Sequence, residues 1–339
     1  MKTRQILITL LVGATSMLMS CTKEAPVSEQ YVNSNTSAPV TKACVAAPKI
    51  VAMVETNDVN PLNAMDYKCA NGNCFYDIVE LFAANIHKET FNGQVRPTLY
   101  LNDKLTPILE GGLDEYIRPL QTAGIKVLLT VLGDWQGIGL ANMNDTQADQ
   151  FAHILAYAVQ QYGLDGIGFD DEYANYSTPL VSGSFGNIIK KLHALLPADK
   201  LITVFAFGNY DQIDTEAGAM IDYAYTNFTY WNASPDISGV LNAHWAPSAY
   251  NLGNSYFTNY VRSKATAAKN NGYGAIMTFN LRQKSDVNPL PVLQAISDGL
   301  GCGTVTCQND DGVIGGDRPR SAGSVPAGFT ISYSDVPLN

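Results

Sequence analysis

Short apolar runs alternate with amphipathic stretches about eight times within roughly 255 residues of this chain. Residues 125–132 (IKVLLTVL) are almost continuously apolar, as is typical of a parallel strand that is covered on both faces. The number and length of the repeats predict an α/β fold, a single (β/α)8 TIM barrel, over residues 48–307. The competing fold is a doubly wound open sheet, but no glycine-rich phosphate loop follows the first predicted strand.

The boundaries of the predicted elements follow from this periodicity. Strands are predicted at 49–55, within 76–86, and at 125–132, 166–172, 201–207, 221–228 and 273–279. Helices are predicted at 105–123, 147–162, 185–196, 256–270 and 291–300. Residues 308–339 are rich in Gly, Pro and Asp and contain one strand-like piece, 328–333, so this tail receives no assignment.

The N-terminus has the pattern of an export signal. Lys2 and Arg4 precede the apolar run 6–12, and Leu18-Met-Ser leads to Cys21. The run is too short to span a bilayer. The pattern resembles a bacterial lipoprotein signal, so we predict a signal peptide at 1–20, acylation of Cys21, and a flexible Ser/Thr/Pro/Ala-rich tether at 21–47. An ordinary signal peptide with a chance cysteine is the alternative.

This prediction places the protein at the outer membrane or cell surface of a Gram-negative-type bacterium, in contact with the membrane through the lipid only. Because export leads to an oxidising compartment, the local pairs Cys69–Cys74 and Cys302–Cys307 are predicted disulfides, and Cys44 has no obvious partner. Zinc is the alternative. Neither pair has the two-residue spacing of a zinc knuckle and the four histidines are scattered, so no metal is predicted.

The net charge of -10 makes nucleic acid and acidic membrane surfaces poor partners. A neutral substrate such as a carbohydrate is compatible with this charge, although the charge does not select it. We expect a monomer.

An acidic cluster follows the glycines of the predicted strand at 166–172. Side chains alternate along a strand, so Gly168, Asp170 and Glu172 share one face, and Ile167 and Phe169 lie on the other. If the apolar pair faces the helices, both carboxyl groups face the barrel interior at the carboxyl end of the strand. Barrel enzymes place their chemistry at that end.

Two neighbouring carboxyl groups do not both ionise readily, so the pKa of one of them is raised. A glutamic acid with a raised pKa can protonate a glycosidic oxygen, and the remaining negative charge can stabilise a cationic centre. The alternative is an acidic strand end that caps a loop, or that binds calcium or magnesium through three consecutive carboxylates.

The stretch from Asp165 to Tyr173 reads DGIGFDDEY and resembles the D-G-x-D-x-D-x-E signature of glycoside hydrolase family 18. Its DDEY end is similar to the endo-β-N-acetylglucosaminidase branch of the endo H type, whereas chitinases of the family usually have Trp before the Glu. Further pieces agree in order, such as 51–57 (VAMVETN), 124–129 (GIKVLL) and 278–281 (TFNL). The resemblance spans roughly residues 49–300.

This resemblance implies roles for the motif residues. Glu172 matches the general acid/base, and Asp170 matches the carboxylate that orients the 2-acetamido group of the substrate. The acetamido oxygen attacks the anomeric carbon and forms an oxazolinium intermediate, so the reaction is retaining and needs no cofactor. Asp165 matches the start of the motif. Gly168 departs from it, because many relatives carry there a second Asp, which would share charge and hydrogen bonds with Asp170.

The resemblance also implies an Asn or Tyr group near residue 225 that holds the acetamido carbonyl, although aromatic side chains there are as often core residues. Other candidate sugar contacts lie on strand ends and loops at the same mouth of the barrel. The candidates are Glu55, Phe82, Asn85, Asp134, Trp135, Gln136, Tyr225, Asn227 and Tyr230.

The implied activity is hydrolysis of the GlcNAc-β-1,4-GlcNAc core bond of N-glycans on glycoproteins, with high-mannose or hybrid glycans favoured. A catalytically silent glycan-binding protein is one alternative, but such relatives typically lose the motif's terminal Glu. A chitinase-like hydrolase is the other, and Asp171 in place of the usual Trp argues against it.

Overall fold

The structure is a computed structural model, and it describes residues 48–227, 231–281, 288–307 and 328–337. The predicted signal peptide and tether, Cys21, Cys44 and Tyr230 lie outside these residues. No helix within the described ranges is long and apolar enough to span a membrane.

The β-strands occupy the segments that the apolar runs indicate, with several additions. They are β1 (Lys49–Glu55), β2 (Tyr67–Cys69), β3 (Ile78–Phe91), β4 (Gln94–Leu101), β5 (Lys126–Gly133), β6 (Gly166–Phe169), β7 (Leu201–Phe205), β8 (Tyr223–Tyr225), β9 (Trp245–Ala246), β10 (Ala249–Asn251), β11 (Ala275–Phe279), β12 (Val305–Cys307) and β13 (Phe329–Ile331).

The central sheet is a barrel of parallel strands in the order β10-β11-β1-β3-β5-β6-β7-β8-β9. Only Pro247 and Ser248 separate β9 from β10. Proline has no backbone N–H to donate to a ladder, so a strand is readily interrupted there. Because β9 pairs with β8 and β10 pairs with β11, the two pieces form one interrupted strand that closes the sheet. With β9 and β10 counted as one strand, the barrel has eight parallel strands, which confirms the predicted (β/α)8 fold.

The helices cover the outer face of the barrel. They are α1 (Asn63–Asp66), α2 (Thr106–Leu109), α3 (Arg118–Thr122), α4 (Asp145–Tyr162), α5 (Ser184–Leu195), α6 (Thr215–Gly218), α7 (Thr258–Asn270) and α8 (Leu290–Leu300), with short 3₁₀ turns at Tyr210–Gln212, Asn242–His244 and Tyr333–Asp335. Helix α4 begins at a reciprocal capping box between Asn144 and Gln147 and ends at the left-handed Gly163.

The predicted helix at 105–123 is wrong as one continuous element. It is divided into α2, a π-helical turn at Leu113–Ile117 and α3. Gly111 and Gly112 lie at the first break and are poor helix formers. At the second break Pro119 occupies the first turn of α3, where its missing N–H is not needed.

The hydrophobic core has two layers. The outer layer lies between the strands and the helices and includes Ile167 and Phe169. The inner layer fills the barrel, with Leu128, Phe205 and Met277 among its members. Alternate residues of each strand therefore point into the barrel or outward to the helices.

A β-hairpin extends the barrel at its carboxyl end. Strand β3 is 14 residues long and continues past the barrel to pair antiparallel with β4. Strand β13 adds to β4, so the strand-like piece at 328–333 in the C-terminal tail is confirmed as an edge of this sheet.

Both predicted disulfides are wrong. Cys69, Cys74 and Cys307 are thiols, and Cys302 takes part in a disulfide that does not involve Cys307. Across the turn, Cys74 is paired with Lys68, and Cys69 lies opposite Val305 of β12. Side chains of neighbouring strand positions point to opposite faces, so this register keeps the two sulfur atoms of Cys69 and Cys74 apart.

Candidate active site

A cavity of about 570 Å³ opens at the carboxyl ends of the barrel strands and contains both motif carboxylates. Its lining residues are Met53, Glu55, Asn57, Phe82, Ala83, Asn85, Tyr100, Asn102, Leu132, Asp134, Asp170, Glu172, Tyr173, Phe205 and Phe279. Asp170 is 2% exposed and Glu172 is half-buried, so the first is enclosed and the second faces the opening.

The last residues of β6 aim these carboxylates inward. Gly168 faces the barrel interior, whereas Ile167 and Phe169 pack outward. The predicted alternation is therefore confirmed, although the regular strand ends at Phe169 instead of 172. Asp170 continues the ladder, because its backbone N–H donates to Val131 O at 3.1 Å.

Asp171 turns away from the cavity. Its Oδ1 accepts a hydrogen bond from the Tyr176 hydroxyl, and its Oδ2 accepts from the backbone and side-chain nitrogens of Asn209 at 2.8 and 2.6 Å. The three consecutive carboxylates therefore do not converge on one point. Among the described residues no group of three or more His, Cys, Asp or Glu side chains is arranged to hold a metal ion.

Both inward carboxyl groups bind protons more tightly than usual. Burial raises the pKa of Asp170 well above its ordinary value, and the charges of Glu172, Asp171 and Glu80 add to the rise. Burial also raises the pKa of Glu172, partly offset by a hydrogen bond with the Tyr173 side chain. Perturbed carboxyl groups of this kind are typical of acid–base chemistry.

Asp170 has an unused hydrogen-bonding atom. Its Oδ1 is buried and makes no hydrogen bond to any described residue. A buried polar atom without a partner is costly, and such atoms are often completed by a ligand. Because Asp170 lines the cavity, a polar group of a bound substrate can supply this partner.

Aromatic rings form one wall of the cavity. Phe82 and Phe279 contact edge to face with ring centroids 5.8 Å apart, and Phe205 lies beside them in the lining. The peptide bond between Phe82 and Ala83 is cis. An apolar wall opposite a few polar groups is the usual construction of a small-molecule site.

The hairpin forms the other wall, and its part in the site was not predicted from the sequence. Tyr100 lines the cavity and stacks on His87 at 4.3 Å, and His87 Nε2 lies 2.8 Å from Asp134 Oδ2. Asn102 lines the cavity as well and donates to Asn57 at 3.1 Å. The period-2 pattern of residues 94–101 was the available signal, but the pairing with β3 is not evident from local sequence.

The predicted sugar contacts are only partly brought together. Four of them, Glu55, Phe82, Asn85 and Asp134, line the cavity. Trp135 lies just outside the lining, 64% exposed, with its ring 5.6 Å from that of Tyr173. Gln136 donates to Asp134 O at 3.1 Å and is not in the lining, and Asn227 is exposed outside the cavity.

The prediction that Tyr225 contacts the substrate is wrong. Tyr225 is fully buried inside the barrel, and its hydroxyl donates to Glu80 Oε1 at 2.7 Å. A short strand that ends at Tyr225 holds the ring below the cavity, where it does not reach a substrate.

Asp165, the first motif residue, lies at the amino end of β6, away from the cavity. Its Oδ2 accepts hydrogen bonds from Val127 N at 2.9 Å and Gln121 Nε2 at 2.8 Å.

We expect Asp165→Asn to lower the free energy of unfolding by about 1–3 kcal/mol without changing the turnover of the folded enzyme. Urea denaturation and kcat measure the two effects. Asp199→Asn, an exposed carboxylate, is the control, and a lower kcat in folded Asp165→Asn would contradict the assignment.

Known proteins are similar to this chain in sequence and in fold. No protein-family model matches the chain. An endo-β-N-acetylglucosaminidase from Flavobacterium sp. (strain SK1022) is 34% identical over 253 residues, which covers 72% of this chain and 78% of that protein. Endo-β-N-acetylglucosaminidase F1 from Elizabethkingia meningoseptica is 30% identical over 306 residues, covering 83% and 87%.

Solved structures agree with this relationship. EndoBT-3987 from Bacteroides thetaiotaomicron, with its Man5GlcNAc product, is similar at a TM-score of 0.65 and 27% identity, covering 77% of this chain and 62% of that chain. The present chain thus spans less than two thirds of that protein. A family 18 chitinase from Chromobacterium violaceum, at a TM-score of 0.52 and 18% identity, shares the fold. The cavity, its paired carboxylates and these relatives together establish that the chain belongs to the endo-β-N-acetylglucosaminidases of glycoside hydrolase family 18.

Proposed function

We propose that the protein hydrolyses the GlcNAc-β-1,4-GlcNAc bond in the core of N-glycans, with high-mannose and hybrid glycans as the favoured substrates. The enclosed Asp170 beside the half-exposed Glu172 in one cavity is the observation that carries the proposal. Support for the substrate comes from EndoBT-3987, which is 25% identical over 77% of this chain and whose structure holds Man9GlcNAc2Asn.

The positions of the two carboxyl groups support a substrate-assisted reaction. Glu172 protonates the oxygen of the leaving sugar, and the acetamido oxygen of the substrate forms the new bond to the anomeric carbon. Asp170 accepts the acetamido N–H through its unpartnered oxygen and balances the positive oxazolinium. Glu172 then removes a proton from the water that opens the ring, and the two displacements retain the anomeric configuration.

The charge of the cavity suits this reaction. Glu55, Asp134, Asp170 and Glu172 line it, and the described lining contains no lysine or arginine. A neutral sugar enters without needing a counter-charge, and the positive charge that develops at the anomeric centre is stabilised by the surrounding carboxylates.

The test is a panel of defined N-glycans on a glycoprotein, with products identified by mass. Release of the glycan with one GlcNAc left on the protein is the expected result, and high-mannose and hybrid substrates react faster than complex ones. Cleavage of chitin oligomers alone, or binding without cleavage, would overturn the proposal.

We also propose that Cys21 is acylated and tethers the enzyme to the outer membrane or cell surface. The charged, apolar and cysteine segments of residues 1–21 support this. The full-length protein expressed in a Gram-negative host is expected to incorporate labelled palmitate and to enter the detergent phase, and Cys21→Ala is expected to do neither. An unlabelled wild-type protein in the aqueous phase contradicts the proposal.

A further inference from the structure

The interior position left open by Gly168 is already filled by another residue. A Cβ at Gly168 would lie 2.4 Å from Glu80 Oε2 and 2.9 Å from the hydroxyl oxygens of Thr130 and Thr203. Heavy atoms do not approach to 2.4 Å without moving, so residue 168 and Glu80 compete for one space. The motif therefore has no carboxyl group at position 168, and the carboxyl group of Glu80 occupies the space in front of it.

Glu80 reaches this point from β3, on the far side of β5. It is 1% exposed and accepts three hydroxyl hydrogen bonds, from Thr130 at 2.7 Å, Thr203 at 2.6 Å and Tyr225 at 2.7 Å. Thr130 and Thr203 are the register partners of Gly168 on the two neighbouring strands. The hydroxyls of Thr130, Thr203 and Tyr225 thus hold the Glu80 carboxyl group directly in front of Gly168.

The Glu80 carboxyl group and its three hydroxyl donors lie beneath Asp170. Gly168 and Asp170 share the inward face, two residues apart, which corresponds to roughly 7 Å along a strand. The charge of Glu80 contributes to the raised pKa of Asp170, after burial, Glu172 and Asp171. Burial raises the pKa of Glu80 itself, and the three hydroxyl donors offset part of that rise.

We propose that Glu80 is a positioning residue of the reaction, which supplies from β3 the inner carboxyl group that the motif lacks at Gly168. It acts on Asp170 through space and touches no substrate, since it is absent from the cavity lining. Together the two carboxyl groups hold negative charge beneath the acetamido group, and the three hydroxyls fix the lower one in place. This inference rests on the proposed function, in which Asp170 orients the acetamido group.

The first test is Glu80→Gln, which keeps the shape of the side chain and removes its charge. A nearby negative charge raises the pKa of a carboxyl group, so its removal lowers the pKa of Asp170. The proposed mechanism assigns the acidic limb of kcat/KM to ionisation of Asp170, so this limb is expected to move to lower pH, with a reduced kcat. A limb that stays in place, even with a lower Tm, assigns Glu80 a structural role and overturns the proposal.

The second test moves the carboxyl group back to the motif. Gly168→Asp alone is expected to impair folding and activity, because its Cβ meets Glu80 Oε2. Glu80→Ala alone is expected to lose activity and to shift the acidic limb. The double variant removes the clash and restores an inner carboxylate, so its kcat/KM is expected to exceed that of both single variants, with the limb returned toward wild type. A double variant no better than the poorer single variant contradicts the proposal.

Asp222→Asn is the control. Asp222 is a half-buried carboxylate with a raised pKa. It accepts a hydrogen bond from Ile202 N at 2.8 Å, at the amino end of the barrel strands. It is expected to leave the acidic limb unchanged. If the wild-type enzyme releases glycan but Glu80→Gln keeps the wild-type limb, only the role of Glu80 is lost. If the wild type releases no glycan, the proposed function itself fails.

Discussion

Replacing Glu172 by Gln is expected to slow glycan release by roughly two to four orders of magnitude while the protein stays folded. Gln has the shape of Glu but has no acidic proton to give to the leaving oxygen. The side chain is half-buried and its pKa is raised by burial, so removing the charge does not deprive the fold of a stabilising ion pair.

The measurement is the initial rate of release from a high-mannose glycoprotein, with products identified by mass, beside thermal unfolding of each variant. Glu216→Gln is the matched control, because Glu216 is 71% exposed, contacts Lys190 at 3.3 Å and is not part of the cavity lining. Wild-type rates in Glu172→Gln would contradict the assignment of Glu172 as the acid and would require another residue to protonate the leaving oxygen.

The barrel was predictable from the sequence because buried parallel strands have a continuous apolar signature. The interior direction of Asp170 and Glu172 was predictable for a related reason, since the period of two along β6 is a local property. The closing strand was missed. Its two pieces, Trp245–Ala246 and Ala249–Asn251, are too short and too interrupted by Pro247 to give a periodic signal.

The parts of the site that the sequence did not indicate depend on pairing between distant segments. Glu80 and Gly168 are 88 positions apart in the sequence numbering, and only closure of the barrel brings them together. Tyr100 reaches the cavity only because β4 folds back on β3. The short spacing between Cys69 and Cys74 also led to the wrong prediction of a disulfide. Strand register, rather than loop length, separates their two sulfur atoms.

Replacing Asp170 by Asn is expected to reduce kcat by about a hundred- to a thousandfold and, at neutral pH, to make the protein more stable. The loss of activity follows because the amide carries no charge to balance the oxazolinium. It also presents an N–H as well as an oxygen toward the acetamido group, so the orientation of that group is no longer specified.

The gain in stability follows from the direction of the pKa shift. Burial raises the pKa of Asp170 above its unfolded value, so its neutral form is favoured by folding and its charged form is not. The native state is therefore fully stable below the unfolded pKa and loses stability as pH rises from there towards the folded pKa. An asparagine does not titrate, so the variant escapes this loss.

Thermal unfolding of both proteins at several pH values between 4 and 8 tests this prediction, with each kcal/mol of added stability raising Tm by about 2–4 °C. The difference in Tm between Asp170→Asn and wild type is expected to grow with pH. The adjacent Asp171→Asn is the control of opposite sign. Asp171 is also buried but accepts hydrogen bonds from Tyr176 and Asn209, so its replacement is expected to destabilise the fold. A Tm difference for Asp170→Asn that is independent of pH would show that its burial does not oppose ionisation, and the electrostatic account of the site would have to be abandoned.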